Sequence, residues 1–165
     1  ANVTVNGGPF IYTGSPITPD VTVTWNGTQL IKDTNYTLAY ENHTNVGTAT
    51  VTVTGTGNYT GTANQTFTIG KATPQPTTPS GLTAVYGSTL KDISLPSGWA
   101  WDAPDISVGD VGEKSFAATY TQDNSGNYNT VQQNLTVKVT PASYKLTLTR
   151  QPDPGYLERS CGRTR

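Results

Sequence analysis

A run of strict alternation, met twice, constrains this chain more than any other feature. In its first occurrence Val46-Gly47 opens Thr48-Ala49-Thr50-Val51-Thr52-Val53-Thr54, Gly57-Asn58-Tyr59 closes it, and Gln65-Thr66-Phe67-Thr68-Ile69 follows. In the second, Val111-Gly112 leads to Phe116-Ala117-Ala118-Thr119-Tyr120, closed by Gly126-Asn127-Tyr128 and followed by Asn134-Leu135-Thr136-Val137-Lys138-Val139. Successive side chains of a strand point to opposite faces, so Ala49, Val51 and Val53 turn one way and the threonines the other. A helix cannot use that pattern. Each occurrence predicts strand, turn and strand with one apolar face, and the recurrence predicts two units of one fold. The offset is 65 residues from Val46 to Val111 and 69 from Gly57 to Gly126, which puts four extra residues in the second turn region.

The remaining runs agree with an all-β chain. Val3-Thr4-Val5, Phe10-Ile11-Tyr12 and Val21-Thr22-Val23-Thr24-Trp25 are short apolar or alternating segments separated by Gly and Pro. Asn26-Gly27 between Trp25 and Gln29-Leu30-Ile31 predicts a tight hairpin, because both residues tolerate the positive φ of a type I′ turn. Asn35 to Glu41 places Tyr36, Leu38 and Tyr40 on one face. Leu82 to Tyr86, Leu90 to Leu95 and Trp99-Ala100-Trp101 supply the corresponding runs of the second unit. Hydrophobic residues make up only 33% of the chain and charged residues 13%. Units of about 70 residues with that composition have thin cores and modest stability.

Charge excludes one class of partner. Residues 1–70 carry Lys32 against Asp20, Asp33 and Glu41, a net −2, and residues 71–141 also sum to −2. Binding to nucleic acid needs a basic face that displaces counterions, and neither unit has one. No apolar run approaches the roughly 20 residues that span a bilayer, so no direct membrane insertion is expected. Cys161 is the only cysteine, which leaves no intrachain disulfide. There is no methionine, and the chain reads as a piece of a longer protein.

These segments predict a domain at residues 1–70, a Pro/Thr-rich linker at 71–80, a second domain at 81–141 and a terminal segment at 142–165. Pro74, Pro76 and Pro79 make the linker a semi-rigid extended spacer that holds the units apart. Tyr144 to Thr149 reads as a strand or the start of a third unit. Residues 153–165 can be encoded by a run of restriction sites, and are read as a cloning-derived tail whose charge and cysteine carry no function.

The stretches Tyr12 to Pro19, Thr34 to Tyr40, Asn45 to Val53 and Gly57 to Gly61 resemble the bacterial immunoglobulin-like repeats found in tandem in surface proteins of Gram-positive bacteria. Leu82 to Gly87, Leu95 to Trp101, Ser107 to Gly112 and Asn127 to Asn129 resemble a related repeat of the same kind. The resemblance implies two tandem immunoglobulin-like β-sandwich domains, an extracellular, wall-associated setting and a non-catalytic modular role. No catalytic residue is carried over by it. The leading expectation is a structural spacer, or stalk, whose partners are neighbouring domains of the same parent chain.

The alternative expectation is adhesion to glycans or host surface proteins. Trp99 and Trp101 share one strand face and could stack on sugar rings, although two indoles so placed also suit a core. Tyr59 and Tyr128, each behind Gly-Asn, read as corner tyrosines whose hydroxyls pin a loop to nearby backbone. Asp102, Asp105 and Asp110 are close in sequence and could bind Ca²⁺, which needs six to eight oxygen ligands, although acidic residues in loops at the ends of a sandwich are usually just solvated. His43 has no second histidine or usable thiol beside it for zinc or a catalytic triad. Lys114 and Lys138 lie on strands, where a buried lysine next to Asn and a carboxyl group would permit an isopeptide bond; their polar neighbours argue for exposure. No cofactor, metal site or enzymatic activity is expected.

Overall fold

Alternation becomes three sheets in the computed structural model, which describes residues 1–144. The expected tail, and all but Tyr144 of the run to Thr149, lie outside the described residues. In the first half of the chain β1 (Asn2–Val5), β3 (Val21–Trp25) and β4 (Thr28–Gln29) form an antiparallel sheet in the order β1-β3-β4. Its hairpin turns at Asn26 and Gly27, with φ of 47° and 81°, as the Asn-Gly pair requires. A second sheet has the order β2-β7-β6-β5, from β2 (Phe10–Ile11), β5 (Tyr36–Glu41), β6 (Gly47–Gly55) and β7 (Thr62–Gly70). Val21, Val23 and Leu30 of the first sheet region pack on Tyr36, Val51 and Val53 of the second, while Ala49, Phe67 and Ile69 fill the other end. Two sheets face to face over these side chains make a sandwich.

The second half repeats the larger sheet. Strands β8 (Leu82–Val85), β9 (Trp99–Trp101), β10 (Gly112–Tyr120) and β11 (Val131–Thr140) take the order β8-β11-β10-β9. β2 runs parallel to β7 as β8 runs parallel to β11, and the other pairs are antiparallel in both sheets. Gly47 and Gly112 open the central strands at φ of 138° and 127°, a region that side chains disfavour. The Val-Gly start of the repeat is thus a backbone requirement. The connections differ as the offsets predict: residues 56–61 join β6 to β7, and residues 121–130 join β10 to β11, four more.

The apolar face of the second half's sheet is covered differently from that of the first. The second half contains a single sheet among the described residues, whose apolar face is covered by Leu90, Ile93 and Val108 from irregular chain and one 3₁₀ turn, Leu90–Asp92. Residues 88–91 and 104–108 pair there through one antiparallel bridge, Thr89 with Ser107, and backbone bonds from Leu90 N–H to Ile106 and from Val108 N–H to Ser88, which bring Leu90 and Val108 into the covering layer. Among the described residues no hydrophobic cluster joins the two halves: one holds residues from 82 to 139, and the other two hold residues from 3 to 59 and from 5 to 69.

The phenols that pin the sandwich are Tyr36 and Tyr40. Tyr36 Oη donates to the carbonyl of Val21 at 3.1 Å, and Tyr40 Oη to that of Pro19 at 2.6 Å, tying the start of β3 and the loop before it to strand β5. Burial, helped by Asp33 and Asp20, pushes the Tyr36 phenol above its usual range; burial, then Asp20 and Tyr36, does the same for Tyr40. A phenol raised above its unfolded value of about 10 stabilises the fold fully below that pH, and the contribution is lost as pH rises through the folded value. Chemical denaturation of the wild type is therefore expected to show stability falling above about pH 10, with a shallower fall in Tyr36→Phe. An unchanged slope in that variant would remove Tyr36 as the cause.

Candidate functional site

Asn127 is the one buried polar residue among the described residues, at 6% exposure. Burying an amide is costly unless its donors and acceptor are paired, and this one is paired across the boundary between the halves. Its Oδ1 accepts from the backbone N–H of Val46 at 2.8 Å, and its Nδ2 donates to Asn45 Oδ1 at 3.0 Å. Both partners lie in the loop that leads into β6. Beside them the rings of Tyr12 and Tyr128 meet edge to face, 5.3 Å apart at 85°, and Asn124 Nδ2 donates to Tyr12 Oη at 3.4 Å.

The linker joins the same cluster. Ala72 donates its N–H to the carbonyl of Asn127 at 3.1 Å and accepts from the N–H of Asn129 at 2.8 Å, a one-residue parallel bridge. Lys71 Nζ donates to the carbonyl of Ser125 at 3.2 Å, and Asn129 Nδ2 to Thr73 Oγ1 at 2.9 Å. Further on, Thr78 Oγ1 donates to Gln133 Oε1 at 2.7 Å. The segment expected as a semi-rigid extended spacer is laid against residues 125–133 by these bonds. Its prolines still matter, since they supply an extended backbone with few donors left over.

Position of the loop explains why this happens in one unit. The connection 121–130 is the longer of the two, and its extra residues carry Asn124 and Asn127 to the preceding unit. Its backbone turn closes between Asn124 and Asn127, whereas the shorter loop closes between Thr56 and Tyr59. The two Gly-Asn-Tyr motifs therefore sit one position apart in their turns. Neither Tyr59 nor Tyr128 donates its hydroxyl to backbone among the described residues, which corrects the corner reading: Tyr59 packs on its own core and Tyr128 on Tyr12. The repeated motif hid two different jobs.

Trp99 and Trp101 do not form an open platform. Both are buried, at 9% and 8% exposure, and both belong to the core cluster with Leu90, Val108 and Leu135. Trp101 Nε1 donates to the carbonyl of Ile93 at 3.1 Å, and the rings lie against Phe116 and Tyr120. A sugar could stack on them only after the covering layer was lifted. The exposed indole is Trp25, on a cleft of about 400 Å³ that it shares with Leu30, Asn35, Tyr36, Asn58 and Tyr59.

The remaining candidates separate. Asp102 accepts from Thr119 Oγ1 at 2.7 Å and also from Gln132, while Asp105 pairs with the exposed Lys91 at 2.9 Å. No group of three metal-ligating side chains occurs among the described residues. Lys114 is half-buried and Lys138 exposed, and neither hydrogen-bonds an asparagine or a carboxylate among the described residues. His43 is half-buried against Tyr40, with ring centroids 5.7 Å apart. Neither a protein-family model nor a curated protein matches the chain.

Two outcomes follow from this packing. Removing the Asn127 amide strands the Val46 N–H, so Asn127→Ala is expected to cost about 1–3 kcal/mol and to abolish the protection of that amide in hydrogen exchange. Trp101→Ala is expected to lower the unfolding free energy of the second unit by about 3–5 kcal/mol. A loss under about 1 kcal/mol would place the indole outside the core.

Proposed function

We propose that residues 1–70 and 81–141 are two tandem immunoglobulin-like domains, and that the chain is a non-catalytic spacer of a bacterial surface protein. The observation that carries this reading is the Asn127 junction. Two bodies with separate cores are held by a paired amide, an aromatic contact and a bonded linker, so the direction of one is tied to the direction of the other. That is the mechanical demand on a stalk: each link must pass on orientation at low cost in material. The setting outside the cell, associated with the wall, rests on the repeat resemblance. The mechanism is entropic, because a hinge that is already ordered leaves little conformational freedom to oppose projection.

Residual dipolar couplings and small-angle scattering test the reading together. The wild type should align as one body with a single extended maximum dimension, and Asn127→Ala should split the couplings into two independent sets and broaden the distance distribution. Two independent sets in the wild type, or catalytic turnover by this chain, would defeat it.

A second reading, adhesion to glycans, keeps one observation in its favour. Trp25 is 49% exposed and lies beside the amides of Asn35 and Asn58, a pairing of flat apolar face and hydrogen-bonding groups that suits a pyranose. Added glycan would then shift the Trp25 indole resonance in the wild type, and Trp25→Ala would abolish the glycan-dependent shifts of the Asn35 and Asn58 amides beside it.

A further inference from the structure

Two Asn-Gly pairs occur in the chain, Asn6-Gly7 and Asn26-Gly27, and their surroundings are opposite. In such a pair the side-chain amide is open to attack by the next backbone nitrogen, because glycine has no side chain to hinder the approach. Asn6 is held in place. Its Nδ2 donates to Thr22 Oγ1 at 2.8 Å, its N–H donates to the carbonyl of Asp20 at 2.8 Å, and a side-chain carbon on Gly7 would lie 3.8 Å from the Phe10 ring. Asn26 has none of these restraints. Neither its amide nor the N–H of Gly27 has a hydrogen-bond partner among the described residues, both residues are exposed, and a carbon on Gly27 would meet nothing within 4 Å. Only two ladder pairs, Thr24 with Gln29 and Trp25 with Thr28, close the hairpin. So short a ladder opens locally at little cost, which lets the turn reach the geometry of attack.

We infer that Asn26-Gly27 is a self-modification site, where the β3–β4 hairpin converts to an isoaspartyl turn with water as the only co-reactant. The Gly27 nitrogen loses its proton to base and its electron pair forms a bond to Asn26 Cγ. The bond from Cγ to Nδ2 breaks, and that nitrogen leaves as ammonia, taking up the proton. Water then opens the succinimide at either carbonyl. Opening at the Asn26 main-chain carbonyl carbon leaves Gly27 joined to Cγ, so the backbone gains one methylene carbon; opening at Cγ gives aspartate. A two-residue loop sets the register of its strands, and the added atom is passed on to β4. Leu30 follows β4. It is 7% exposed, packs with Val21, Val23 and Tyr36, and donates its N–H to the carbonyl of Val23 at 2.8 Å. The isoaspartyl turn breaks that bond and loosens Leu30 from the sandwich. Aspartate keeps the backbone path and tolerates the left-handed turn, so that product retains the bond. None of this depends on the spacer reading.

Incubation of the full chain followed by peptide mapping tests this. Lys32 is the first Lys or Arg, so one tryptic peptide, residues 1–32, carries both pairs, and electron-transfer fragmentation distinguishes amide, aspartate and isoaspartate at each. Conversion at Asn26 should run about five to ten times faster than at Asn6, the factor that breaking one hydrogen bond imposes. Its rate should rise about tenfold per pH unit between about pH 7 and about pH 9, following the deprotonated Gly27 nitrogen. In the chromatographically purified isoaspartyl fraction the Leu30 amide should lose its protection from hydrogen exchange, while Asn26→Asp should keep it. Conversion at Asn26 absent or no faster than at Asn6, a rate indifferent to pH, or an isoaspartyl chain with Leu30 still protected would overturn the inference. Loss of that protection in Asn26→Asp would also overturn it, by assigning the change to charge rather than to the lengthened backbone.

Discussion

One stripe of small aliphatic side chains on each central strand carries each core. Ala49, Val51 and Val53 on β6 are 5% exposed or less, as are Leu135, Val137 and Val139 on β11. The opposite faces of the same strands carry Thr, Asn, Gln and Lys. A one-residue slip of register would expose the whole stripe and bury the polar set, so the pairing of each long hairpin is strongly specified even though few large side chains take part. Everything else packs on to those stripes: a three-stranded sheet in the first unit, and Leu90, Ile93 and Val108 in the second.

A thin core on one side of a sheet leaves little apolar surface for contact between units, and the junction reflects that. It is built from an amide, two phenol rings and backbone groups, with no shared hydrophobic cluster. Such a contact has direction, which an apolar patch of equal size lacks. Hydrogen bonds constrain angle as well as distance, so a polar junction fixes how one unit points from the next while contributing modestly to stability.

How much of this was legible depends on whether a residue's neighbours are local. The alternating runs at residues 48–54 and 134–139 and the Asn26-Gly27 turn announce their structure, since period and turn chemistry act within a few residues. The second layer of the later unit was not legible. Leu90, Ile93 and Val108 have no common period and owe their burial to a sheet made by distant strands. The Trp99 and Trp101 pair shows the same limit: Ala100 between them fixes that both indoles share a face, but which face meets the core is decided by β10, with Ala118 opposite Trp101 and Tyr120 opposite Trp99. The Pro-rich segment was legible as extended and not as bonded, because its partners at 127, 129 and 133 come from a loop and strand folded long after it in sequence.

Asn127 marks the point where repetition misleads. A motif that recurs invites one explanation for both copies, and Gly-Asn-Tyr looked like a corner that folding alone accounts for. Four residues inserted before the second copy change its reach without changing its letters. The first copy closes its own unit, with Tyr59 on the core and Asn58 in solvent; the second crosses to Asn45 and Val46 and becomes the joint. A difference of four residues in loop length is a small alteration, since lengthening a surface loop costs little entropy. It is enough to carry the second motif across to Asn45 and Val46.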